Sequence, residues 1–300
     1  MGHQFTAQST HNMNNMLDQQ NPPVLEHKSI KVVGLPAFKD NLIWMLQTAY
    51  VENDSVDTVC VVDPGDAIPV IEYCGCNHLV PSTILLTHHH VDHTGGVASI
   101  LKWMNLIHPD FQVKVYGPEA ESIPEVNSPL AGGEVISLWP GIDAEVLAVP
   151  GHTRGHLAYF VSDMAGCNPP ALFSGDLIFG LGCGRLFEGT AKQMYDALMR
   201  VSCLEPNTRI YCAHEYTALN LPFALKVDPD NAHLIKRATK ILALRNAGES
   251  TLPLVIAEEL ATNPFLRSAR PELAASICVE GKPNPIQVFA DLRRMRDNFK

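Results

Sequence analysis

A chain of 300 residues with 46% hydrophobic side chains can bury one large core and a smaller one, so one or two domains are expected. The formal net charge of -10, carried without any dense Lys/Arg block, excludes a general nucleic-acid track or an anionic-membrane surface and leaves room only for a local basic pocket. Eight cysteines without a C-x-x-C pair exclude a disulfide framework; with no long apolar run and no export-type leader pattern, they fit reduced thiols in a cytoplasmic protein.

Residues 1–28 are rich in Gln, Asn, Ser and Thr and close on Asn21-Pro22-Pro23, a composition that buries too little apolar surface to order itself; a flexible extension is expected. From Ser29 to about Ala213, short apolar runs recur between Gly, Pro and Asp: Ile30 to Val33, Leu42 to Leu46, Thr58 to Val62, Thr83 to Leu86, Val113 to Tyr116, Val146 to Ala148, Ala158 to Val161, Ala171 to Phe173 and Arg209 to Cys212. Their length and β-branched content predict strands. Helices are sparser there, the better ones spanning Val97 to Asn105 and Ala191 to Val201, so mixed β-sheets with flanking helices are expected. Cys74-Gly75-Cys76 reads as small residues near a helix end. After His214 the pattern turns helical, over Thr217 to Val227, Ala232 to Asn246, Leu254 to Ala261 and Pro285 to Phe299, separated by Asp-Pro, Gly and Asn-Pro breakers.

The most telling stretch is Thr87-His88-His89-His90-Val91-Asp92-His93-Thr94-Gly95-Gly96, directly after the apolar run Thr83 to Leu86. In an extended segment alternate residues share a face, which groups His88, His90 and Asp92, turns His89 away and leaves His93 to the turn, with a helix beginning after the glycines. So many imidazole and carboxylate groups exceed the needs of one tetrahedral ion with an open position. Three further ligand-type residues follow apolar runs in the same way: His152 after Val149-Pro150-Gly151, Asp176 after Leu172-Phe173-Ser174-Gly175, and His214 after Ile210-Tyr211-Cys212-Ala213. The two oxygens of Asp176 are able to serve two neighbouring ions. His156 reads as a supporting imidazole rather than a ligand.

The set T-H-H-H-x-D-H, His152, Asp176 and His214 resembles that of the metallo-β-lactamase-fold hydrolases. Gly182-Cys183-Gly184-Arg185, Phe187-Glu188-Gly189-Thr190, His214-Glu215-Tyr216-Thr217, Asn263-Pro264-Phe265 and Arg293-Arg294-Met295-Arg296-Asp297 with Phe299 make the resemblance specific to the glyoxalase II (hydroxyacylglutathione hydrolase) family, over roughly Lys31 to the C-terminus. It implies an α/β (α+β) fold, a four-layer αββα sandwich over residues 29–214 followed by an all-α glutathione-binding domain over 215–300. It also implies two divalent ions per chain, zinc ahead of iron or manganese, one on His88, His90 and His152, the other on Asp92, His93 and His214. Asp176 and a hydroxide would bridge them, and Asp92 and Asp176 would act with that hydroxide in catalysis. Arg185, Tyr216, Arg293 and Arg296 would contact glutathione. The family often has Lys at 185 and 296 and Tyr at 187, so any hydroxyl contact at Phe187 is missing. The implied reaction is hydrolysis of S-(2-hydroxyacyl)glutathione, typically S-D-lactoylglutathione, to glutathione and D-lactate in methylglyoxal detoxification, by a monomer with no nucleic-acid or membrane partner. The alternative on the same fold is a mononuclear-iron sulfur oxygenase of the persulfide dioxygenase type.

Overall fold

The first half of the chain is organised by a sheet whose second to fourth strands bury both faces. A computed structural model describes residues 30–48, 57–162, 169–277 and 284–299, so the expected extension over 1–28 lies outside the described residues. In chain order the first sheet is built from β1 (Ile30–Ala37), β2 (Asn41–Thr48), β3 (Thr58–Val62), then α1 (Ala67–Asn77), β4 (Val80–Leu85), α2 (Val91–Thr94), α3 (Val97–Ile107), β5 (Lys114–Pro118) and β6 (Ser128–Leu130). The strands lie in the order β1-β2-β3-β4-β5-β6, antiparallel up to β3 and parallel from β3 to β6.

The second half continues with β7 (Val135–Trp139), β8 (Ile142–Ala148), β9 (Leu157–Val161), β10 (Ala171–Gly175), the small hairpin β11 (Ile178–Phe179) and β12 (Gly182–Cys183), α4 (Ala191–Ser202) and β13 (Arg209–Cys212). Then follow α5 (Thr217–Val227), α6 (Ala232–Asn246), β14 (Leu254–Val255), α7 (Ile256–Thr262), α8 (Pro271–Ser276) and α9 (Pro285–Asp297). The second sheet has the order β14-β13-β10-β9-β8-β7.

The period-two alternation of β2 shows how the layers form. Ile43 and Met45 face the apolar side of α1 and α3, packing with Val70, Cys74, Val97, Ile100 and Met104. Trp44 and Leu46 face the other way, onto Val146, Tyr159, Phe173 and Tyr211 of the second sheet. The outer face of that sheet, with Leu172 and Ile210, is covered by Leu198 of α4, Phe223 of α5, Ile256 of α7 and Phe289 and Leu292 of α9. The order helix, sheet, sheet, helix is the four-layer sandwich that the sequence leads one to expect. The Trp44 indole donates its Nε1 hydrogen to the Cys212 carbonyl at 2.9 Å, so this large inter-sheet side chain leaves no polar atom unsatisfied.

Three local readings change. Asp92, expected on an extended segment, and His93, expected in the turn, both sit on the four-residue helix α2, before the glycines; backbone N–H groups of His93 and Thr94 both reach back to the His90 carbonyl. The stretch Leu254 to Ala261 is not one helix: Leu254 and Val255 pair with Ile210 and Arg209 as β14, and only then does α7 begin. The region after residue 214 is therefore not purely α-helical, because it supplies the edge strand of the second sheet.

Candidate metal centre and substrate cleft

The functional side chains project from the carboxyl ends of strands, where open α/β sheets characteristically place their sites. Asp63 follows β3, His88 follows β4, Asp176 follows β10 and His214 follows β13. Gly175, at φ +47, allows the turn between β10 and Asp176, since a side chain there would run into Thr87.

All seven expected ligand residues come together. His88, His90 and His152 form one group, Asp92, His93 and His214 another, and Asp176 lies with His88 and His93 between them. The His88 Nε2 and His152 Nε2 atoms lie 2.9 and 3.0 Å from His90 Nδ1. His93 Nε2 is 3.5 Å from Asp176 Oδ1 and 3.6 Å from Asp92 Oδ2, and His214 Nε2 is 3.4 and 3.5 Å from the same two oxygens. The second oxygen of Asp176, Oδ2, points the other way, to His152 Nε2 at 3.3 Å.

The tautomers follow from the outer partners of the imidazoles. The Thr87 hydroxyl donates to Asp63 Oδ2 at 2.7 Å, so toward His88 Nδ1, 3.0 Å away, it acts as an acceptor. His152 Nδ1 donates to the Arg185 carbonyl at 2.9 Å, His93 Nδ1 to Asp63 at 3.0 Å and His214 Nδ1 to Asp40 at 3.0 Å. Each of these four rings thus carries its Nδ1 hydrogen outward and, in its neutral form, aims an Nε2 lone pair inward. Two such lone pairs meet at His90 Nδ1, where at most one hydrogen can lie between the three nitrogens.

The electrostatics point the same way. Burial, reinforced by neighbouring imidazoles, drives His88 and His156 well below the ordinary histidine range, and burial likewise lowers His90 and His152, so these rings are neutral donors of lone pairs. Burial also opposes charge on His93, but Asp176, Asp63 and Asp92 outweigh it and raise that ring to about 9. The cluster thus gathers carboxylates around a centre that draws positive charge. His93 Nε2 and Asp176 Oδ1 are buried without a hydrogen-bond partner, which in a native site calls for an ion or water. The donor set, imidazole with carboxylate, fits divalent metal ions.

Residues outside the motifs complete the frame. Asn41 Nδ2 donates to Asp92 Oδ2 at 3.1 Å. The Glu121 carboxylate accepts from the His89 backbone N–H and ring Nδ1, from the Thr153 hydroxyl and from the Gly155 N–H, tying the loop after β4 to the loop that carries His152. His89 accordingly faces away from the cluster. His156 stacks on His88 at 4.8 Å and accepts from the Asp176 N–H. Asp63 carried the same strand-end signal as Asp176; Asp40 in the β1–β2 turn, Asn41 at the start of β2 and Glu121 in a loop carry no such mark.

A cleft of about 730 Å³ opens onto the cluster, and Arg185, Tyr216, Arg293 and Arg296 all line it. Tyr216 stacks flat on His214 at 4.7 Å; burial, with Asp40 and Asp176 nearby, pushes its hydroxyl up, so it stays a protonated donor. Arg293 is not a free guanidinium: it lies on the buried face of α9 beside Leu292, with Nη1 on the Cys183 carbonyl and Nη2 on Asp297, both at 2.8 Å. Arg296 gives its Nε to Asn220 at 3.2 Å, and Arg185 is the most exposed of the three. Phe187, 61% exposed, makes edge-to-face contacts with His90 and His152, its ring centre 5.5 Å and 5.2 Å from theirs. Burial raises the Cys183 thiol to about 11, which removes it as a nucleophile. No helix among the described residues is long and apolar enough to cross a membrane.

Comparison with known proteins agrees with this geometry. Residues 47–214 match the model of the metallo-β-lactamase superfamily, and residues 215–299 match that of the hydroxyacylglutathione hydrolase C-terminus. The chain is 45% identical over 275 residues to a hydroxyacylglutathione hydrolase of Xanthomonas euvesicatoria pv. vesicatoria, covering 90% of this chain and 100% of that one. It is 42% identical over 274 residues to the enzyme of the same name from Shewanella pealeana, again covering 90% and 100%. Among solved structures, ETHE1 from Myxococcus xanthus superposes with a TM-score of 0.55 at 20% identity, over 90% of this chain and 99% of that one. A metallo-β-lactamase from Staphylococcus aureus gives 0.54 at 20%, over 89% and 71%. At that identity these two likenesses show the shared fold alone. The chain belongs to the hydroxyacylglutathione hydrolases, thioester hydrolases built on the metallo-β-lactamase fold.

Proposed function

We propose that the protein hydrolyses S-(2-hydroxyacyl)glutathione, with S-D-lactoylglutathione as the reference substrate, to glutathione and the free 2-hydroxy acid. His88, His90 and His152 would hold one divalent ion and Asp92, His93 and His214 a second, with Asp176 shared and zinc the first candidate metal. The observation that carries this reading is the division of the Asp176 carboxylate, one oxygen toward His93 and His214 and the other toward His152. Divalent ions bound there supply Lewis acidity that lowers the pKa of a water toward neutrality and polarises a carbonyl.

The chain's own residues do the rest. Asp92, with an oxygen 3.5 Å from His214 Nε2, is the carboxylate available to orient the attacking water and take its proton. The Tyr216 hydroxyl offers a hydrogen bond inside the cleft. Arg185 and Arg296, whose guanidinium is set against the like charges of Arg293 and Arg185, attract the carboxylates of the tripeptide. A thiol leaving group of pKa about 8.5 departs as thiolate, so the site needs no strong general acid. An amine would need one, which favours thioesters over amides. In the cell this is the second step of methylglyoxal detoxification, in the cytoplasm and by a monomer.

The test is hydrolysis of S-D-lactoylglutathione with metal analysis on the same preparation. Turnover with two equivalents of metal per chain is expected. Two equivalents without turnover would refute the substrate, and one iron with oxygen uptake would refute the hydrolytic reading.

A further inference from the structure

We infer that Asp40 and Asn41, at the tip of the β1–β2 hairpin, are positioning residues dedicated to the Asp92–His93–His214 half of the cluster, so that their loss empties one metal position and spares the other. This rests on the two-ion reading above. The Asp40 carboxylate takes the His214 Nδ1 hydrogen at 3.0 Å, which holds the Nε2 lone pair toward Asp92 Oδ2 and Asp176 Oδ1. The neighbouring Asn41 amide donates to Asp92 Oδ2 at 3.1 Å and to the Asp92 carbonyl at 3.3 Å, fixing both the side chain and the short helix that carries it.

The turn is itself anchored to the strand end it serves. The Glu215 N–H donates to the Asp40 carbonyl at 3.0 Å, the Leu42 N–H donates to the Ala213 carbonyl at 2.7 Å, and Asn41 forms an isolated bridge with His214. Two consecutive side chains thus reach two of the three residues in one half-site. Neither reaches the other half-site, where the outward imidazole hydrogens go to the Thr87 hydroxyl and the Arg185 carbonyl. Outer partners of metal-bound groups are worth about 10–100-fold in affinity. A carboxylate behind an imidazole also makes it a better donor than a hydroxyl or carbonyl does.

The experiment uses the full chain loaded with zinc, dialysed against graded nitrilotriacetate, with zinc per chain measured in Asp40→Ala, Asp40→Asn and Asn41→Ala. Wild type is expected to release its two ions in its own order. In Asp40→Ala and Asn41→Ala one ion should be lost at about 10–100-fold lower chelator while the other keeps its wild-type midpoint, with Asp40→Asn intermediate because its amide oxygen still accepts. The position is assigned by combination: Asp40→Ala added to His214→Ala should cause no further loss, whereas added to His152→Ala it should remove the remaining ion. Melting of the metal-free proteins checks the fold; should Asp40→Ala not accumulate folded, Asn41→Ala and Asp40→Asn carry the same comparison. Wild-type retention of both ions in Asn41→Ala and Asp40→Ala, or equal weakening of both ions, overturns the inference. A wild-type chain that holds a single ion overturns the two-ion reading and this inference with it.

Discussion

Glu259→Gln should cost about 3–5 kcal/mol of stability, although Glu259 lies outside the metal centre. The Glu259 side chain is fully buried on α7, and its carboxylate accepts from Arg237 Nη2, from Asn263 Nδ2 at 2.9 Å and from the Leu181 N–H at 3.0 Å. All three partners are donors. Glutamine keeps one acceptor oxygen and turns an NH2 group toward the remaining donors, leaving at least one buried hydrogen unmatched, worth about 1–3 kcal/mol. Among the described residues the buried Arg237, 4% exposed, keeps just the partly exposed Glu258 as a nearby carboxylate, at 3.3 Å, and the weaker compensation of its charge brings the total to the larger figure. Guanidinium unfolding followed by circular dichroism measures the loss. In Arg237→Met/Glu259→Gln part of it should return, because no lone charge remains and the glutamine oxygen still accepts from the Leu181 N–H and Asn263 Nδ2. A loss below about 1 kcal/mol in Glu259→Gln, or a double variant no better than the single, would refute the reasoning.

Asp176→Asn should lower retained metal and reduce turnover at least about 100-fold, since an amide presents one acceptor where two are used; metal analysis after gel filtration and a thioester assay check both, and full activity with two ions would remove Asp176 from the site. Arg296→Ala should raise KM more than it lowers kcat, by about 5–20-fold, because it binds a remote part of the substrate, and an unchanged KM counts against the glutathione pocket. Arg293→Ala should add a stability loss to any KM effect, visible as a lower Tm, because its guanidinium also holds the Cys183 carbonyl and Asp297. Phe187→Tyr should leave Tm unchanged, the ring being largely exposed, and lower KM by about 2–5-fold through one added hydrogen bond; a higher KM would place the hydroxyl away from the substrate.

The clustering of His88, His152, Asp176 and His214 was legible because each follows an apolar strand, and an apolar strand leaves a clear trace in sequence. Four of the strands and helices, Thr58–Val62, Arg209–Cys212, Thr217–Val227 and Ala232–Asn246, match the sequence reading residue for residue. The placement of Asp92 and His93 was not legible, because a four-residue helix is shorter than the window over which a 3.6-residue period shows. Leu254-Val255 failed for a related reason: two residues have no alternation, and their strand character comes from pairing with β13. Asp40 and Asn41 lay further out of reach. Their partners are 174 and 51 residues away, and a turn Asp-Asn looks the same whether it caps a loop or holds a metal ligand in place.

β14 carries a consequence for how the chain can be divided. The two family models meet between residues 214 and 215, but the strand that completes the sheet behind His214 comes from beyond that boundary. Cutting there would strip β13 of its neighbour, leaving a row of unpaired backbone groups beside the apolar face that α5, α7 and α9 cover. The break that is natural in descent is therefore an unnatural one in folding: a fragment ending at 214 would hold all seven clustered His and Asp side chains and present a sticky edge ready to recruit other chains.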